Sequence, residues 1–132
     1  MYNSEFEIGA HRFRIQSWES CMIRYVVLTV AYGLPGKEYG ESSNALTGNF
    51  VEIYEIEEHD HVWNTLVADR EKDGIISIVG CIEYLKMIAK EFADTHPERL
   101  AFGSEKKALS YGEQNLKKPL RFREPKFRYP GT

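Results

Sequence analysis

The chain has 132 residues, 42% of them hydrophobic, 28% charged and 13% aromatic, a composition that fits one globular core and excludes the polar, aromatic-poor pattern of disordered chains. Its longest apolar run, Tyr25 to Tyr32, is far shorter than the ~20 residues of a membrane-spanning helix. Charge is segregated: six basic residues and one acid between Lys117 and Arg128 give +5 against a total of −3, which leaves an acidic body at −8.

Phe6 and Ile8, then Phe13 and Ile15, alternate with polar residues and predict a hairpin bending at Gly9-Ala10-His11. Trp18-Glu19-Ser20 interrupts that pattern. Cys21 to Tyr32, rich in β-branched and aromatic residues, reads as a central strand covered on both faces. Gly33 to Gly48 carries four glycines, a proline, two serines and an asparagine, the composition of a long surface loop edged by Tyr32, Tyr39 and Phe50. Its glycines lack the Lys-Ser or Lys-Thr of a phosphate-binding loop.

Val51 to Glu57 predicts a strand with Val51, Ile53 and Glu55 on one side and Tyr54 and Ile56 on the other. Val62 to Leu66 fits either a short strand or one helical turn. The charged run Asp69 to Gly74 reads as an exposed connection. From Ile75 to Asp94, apolar residues at 75, 78, 79, 82, 85, 88, 89 and 92 recur at intervals of three and four, with Glu83, Lys86, Lys90 and Glu91 between them. That spacing predicts an amphipathic helix ending at His96-Pro97. A short strand over Arg99 to Phe102 follows, then a second helix capped by Ser104, with Leu109 and Leu116 as apolar anchors and weakened by Gly112. Three prolines from Pro119 onward mark an extended tail. The chain therefore divides into an α+β domain over residues 1–118 and a basic tail over 119–132. The domain is expected to be an antiparallel sheet of about five strands carrying one long amphipathic helix and a shorter C-terminal helix.

Within residues 73–116, Ile78-Val79 with Ile82, His96-Pro97-Glu98, Phe102-Gly103-Ser104, and Lys107 with Tyr111 resemble the C-terminal half of a group of small bacterial and phage α+β proteins without an assigned activity. The resemblance implies a twisted sheet packed on one main helix and carries no catalytic role.

His59-Asp60-His61 is the sharpest local motif. On a strand, the two imidazoles would share a face and could hold a divalent metal, with Glu57 or Glu58 adding an oxygen. The competing reading is a solvated polar turn. Cys21 and Cys81, each in an apolar setting, read as two reduced core thiols and not as a disulfide or a nucleophile. No catalytic constellation emerges.

The tail interleaves base and aromatic, with Lys117, Lys118, Arg121-Phe122-Arg123 and Lys126-Phe127-Arg128-Tyr129, opposite an acidic stretch of Glu52, Glu55, Glu57, Glu58 and Asp60. Such a tail suits docking on an acidic surface, its own or a partner's. The sequence reading is thus a small non-catalytic protein-binding protein that acts by masking or assembly, of phage or toxin-immunity type, with no cofactor. A metal-dependent hydrolase using His59 and His61 stands second. Nucleic-acid binding through the tail stands third. The N-terminus, with an acid at Glu5 and no apolar stretch behind it, leads to an expected cytoplasmic location.

Overall fold

A computed structural model describes residues 2–36, 39, 49–67 and 78–117. The expected connection over 69–74, most of the loop over 33–48 and the tail over 119–132 lie outside the described residues.

The chain opens with β1 (Asn3–Ile8) and β2 (His11–Ser20), paired antiparallel so that Ile8 faces His11 across a two-residue turn. Gly9 takes φ +59° there, a value glycine adopts without cost. His11 belongs to the strand and not to the bend, and it is buried. Nor does Trp18-Glu19-Ser20 break the strand. β2 runs through it, and β3 (Ile23–Gly33) starts after a turn made only of Cys21 and Met22, both at positive φ. Neither residue carries a turn signature, which is why the sequence placed both at the start of β3.

β4 (Phe50–Glu57) completes an antiparallel order β1-β2-β3-β4, and the two-residue β5 (Leu100–Ala101) joins β3 in parallel. One face of this sheet, built from Phe13, Ile15, Val26, Leu28, Val30, Val51, Tyr54 and Ile56, forms the core with Val62 and Trp63 of α1 (His61–Val67) and with Leu85, Ile88 and Phe92 of α2 (Val79–Thr95). α2 follows the predicted stripe, except that Val79 is exposed at its first turn. Positions 75–77 lie outside the described residues.

In α3 (Glu105–Lys117) the Ser104 hydroxyl accepts the Lys107 amide at 3.3 Å, the cap expected from the sequence. The anchoring differs from the expectation at Leu109, and the Leu116 side chain lies outside the described residues. Ala108 is buried in the core while Leu109 is 66% exposed. α3 lies so close to β4 that a Cβ on Gly112 would stand 2.6 Å from Val51 Cγ2 and 3.0 Å from the Glu52 carbonyl oxygen. Gly112, expected from its propensity to weaken the helix, is what permits this approach.

Candidate functional site

The strand β4 does not alternate the way its sequence suggests. Leu28 pairs with Tyr54 and Thr29 with Glu52, so Ile53 is an extra residue in a β-bulge. The phase of alternation shifts there. Val51, Tyr54 and Ile56 turn to the core, and Phe50, Glu52, Glu55 and Glu57 stand on the opposite face. The expected grouping of Val51 with Glu55, away from Tyr54 and Ile56, is therefore corrected. Without the bulge, Glu52 would lie on the other side from Glu55 and Glu57.

On this outer face, contacts link neighbouring strands. Arg14, only 5% exposed, extends from β2 to Glu5 of β1 at 3.2 Å and lies 4.0 Å above the centre of the Phe50 ring. This burial of an arginine is sustained by a carboxylate and an aromatic face together. Arg12 pairs with Glu7 at 3.5 Å. On the far side of β3, Tyr25 stacks on Trp18 with ring centres 6.0 Å apart, and its hydroxyl donates to Glu57 at 3.4 Å. The arginines of this face thus serve β1, and the carboxylates concentrate along β4.

The electrostatics of that row follow from the crowding. Partial burial raises the Glu55 carboxyl above its ordinary range, and Glu52, Glu57 and Asp60 raise it further by repulsion. Burial alone raises Glu52. Asp60 is raised by burial and then by Glu57, against a lowering hydrogen bond from the Glu57 amide. Glu58 turns to the Arg24 amide, which donates to its Oε1 at 2.9 Å.

His59 and His61 do not share a strand face. β4 ends at Glu57, His59 sits in the following turn at φ 76°, and His61 is the first residue of α1. The turn is closed by the Asp60 amide on the Glu57 carbonyl and by the Asn64 side-chain amide on the His59 carbonyl. Among the described residues no three His, Cys, Asp or Glu side chains are grouped to hold a metal ion. The other two histidines are packed on Phe92, where His11 Nε2 donates to the His96 carbonyl at 2.5 Å and His96 Nδ1 donates to the Phe92 carbonyl at 2.9 Å.

Both cysteines are free, but only Cys81 is a core thiol. Cys21 is exposed at the β2–β3 turn, contrary to its expected apolar setting. Burial pushes the Cys81 thiol up to about 12, so at neutral pH it is not a thiolate nucleophile. Lys117 ends α3, and Lys118, Arg121, Phe122, Arg123, Lys126, Phe127, Arg128 and Tyr129 lie outside the described residues. The sequence found the acidic stretch. Arg14, whose own charge gives no sign of burial, and the bulge that puts Glu52 in line are not legible there.

No protein-family model, curated protein or solved structure matches this chain. Among the described residues no helix is long and apolar enough to cross a membrane.

Proposed function

We propose that this chain is a small non-catalytic protein-binding protein of masking or assembly type, whose outer sheet face receives a basic surface of another protein. The observation that carries the reading is the row Glu52, Glu55 and Glu57, aligned by the bulge at Ile53 and continued by Asp60, on the sheet face opposite the core. Its carboxylates repel one another, and an arriving cation turns that repulsion into attraction. Rigid strands hold the charges in register, and charge complementarity of this kind speeds encounter and rejects wrong partners more than it adds raw affinity. Binding of a toxin or host factor by a phage or immunity protein is the concrete form that fits a domain of this size.

The test compares two proteins in one capture experiment on lysate from the native host, the wild type and a Glu52→Gln/Glu55→Gln/Glu57→Gln variant, each at low and high salt. A partner held by the row is expected to fall on the order of tenfold in the variant, and the wild type's capture to fall with salt while the variant's changes little. Equal capture by the two proteins at low salt overturns the reading.

A further inference from the structure

Between α3 and β4 runs a groove of about 310 Å³ lined by Phe50, Val51, Glu52, Leu109, Gly112 and Glu113. Its floor exists because Gly112 brings the helix backbone down onto Val51. Leu109 stands largely exposed in its wall. Glu52 and Glu113 add two carboxylates to an otherwise apolar trough, and burial already holds Glu52 above the ordinary carboxylate range. An aromatic side chain flanked by cations is the chemistry that matches, with the ring against Leu109, Val51 and Phe50 and the cations against the two carboxylates.

α3 runs to Lys117, four residues past Glu113 of the groove, and the sequence that follows supplies that pattern in Arg121-Phe122-Arg123. We propose that residues 119–132 dock in cis, with Phe122 in the groove and Arg121 and Arg123 against Glu52 and Glu113. The reach is sufficient. Phe122 is five residues past Lys117, about 16–18 Å of extended chain, whereas Leu109 lies eight residues back along the helix, about 12 Å. Tethering keeps the local concentration of the tail in the millimolar range, so weak contacts suffice to fill the site.

Glu52 belongs both to the groove and to the outer acidic row, so a docked tail occupies one end of the surface offered to a basic partner, which then binds by displacing it. This competition rests on the function proposed above. The docking itself does not.

Limited trypsin digestion of the full chain tests the docking by the rate of cleavage after Arg121 and Arg123. The comparison is among the wild type and Phe122→Ala, Leu109→Gln, Glu113→Gln and Met87→Gln variants, with melting curves to confirm that each is folded. Leu109 and Met87 are both exposed, so their replacement leaves the core intact. Cleavage in Phe122→Ala and Leu109→Gln is expected to be about tenfold faster than in the wild type, in proportion to the loss of the closed population. Glu113→Gln should fall between them and the wild type, and Met87→Gln, on another helix, should match the wild type. Equal rates across the wild type, Phe122→Ala and Leu109→Gln, whether fast or slow, overturn the docking. Protection that grows with protein concentration assigns the tail to a neighbouring copy and overturns the cis arrangement. Failure here leaves partner capture to be judged separately, because Glu55 and Glu57 do not line the groove.

Discussion

Gly112 is the residue at which local propensity and tertiary packing pull in opposite directions. In an exposed helix interior, alanine is favoured over glycine by about 1 kcal/mol. Here the added methyl would meet Cγ2 of the buried Val51 side chain and the Glu52 carbonyl, a backbone group that cannot withdraw without moving β4. Gly112→Ala is therefore expected to lower stability by about 1–3 kcal/mol, the range for overpacking, as read from the urea midpoint at constant m-value. A gain in stability would mean that α3 stands farther from β4. Arg14 carries the same lesson in charge. It is buried on the side of the sheet away from the core because Glu5, its partner across the opening hairpin, neutralises it and Phe50, distant in sequence, covers it.

At the scale of the element, α2 is the main helical support of the sheet. Ile88 is 2% exposed and Ile82 9%, and truncating either to alanine leaves a cavity expected to cost about 2–5 kcal/mol, with Ile88 at the higher end. Lys86, exposed on the opposite side, should tolerate alanine with a change within about 0.5 kcal/mol. Chemical denaturation of the three variants checks the assignment, and equal small losses would show that the packed face has been misplaced. The same periodicity that exposes this helix in the sequence fails in β4, because a strand's alternation can change phase wherever one residue is inserted.

For the whole molecule, the acidic face makes stability depend on pH. Glu52, Glu55 and Asp60 have folded-state pKa values above their ordinary 4.5, 4.5 and 3.8, so the native state holds their protons more tightly than the unfolded chain. Their favourable contribution is complete below the unfolded values and is lost as pH rises through the raised ones. Glu55→Gln should accordingly raise the melting temperature at neutral pH, by the equivalent of less than about 1 kcal/mol because the group is partly solvated. That gain should disappear near pH 4, where the native carboxyl is itself protonated. Calorimetry of the two proteins at both pH values decides it. An equal gain at both would trace the effect to packing and not to charge.

The amphipathic stripe of α2, the Ser104 cap, the opening hairpin and the acidic run from Glu52 to Asp60 were all legible in the sequence by itself. Each is a local pattern, carried by residues within a few positions of one another. The tertiary structure alone decided the phase of β4, the burial of His11 and Arg14, the Cys21-Met22 turn, and the exchange of Leu109 for Ala108 as the helix anchor. The turn follows from how the long strands β2 and β3 pair, and the others depend on partners farther away in sequence. Ile53 becomes a bulge only because β3 fixes the register on either side of it, and Gly112 lets α3 rest close on β4, with Ala108 buried and Leu109 exposed. The charges of the candidate site were therefore written in the chain, while their gathering on one face was settled by the pairing of β3 with β4.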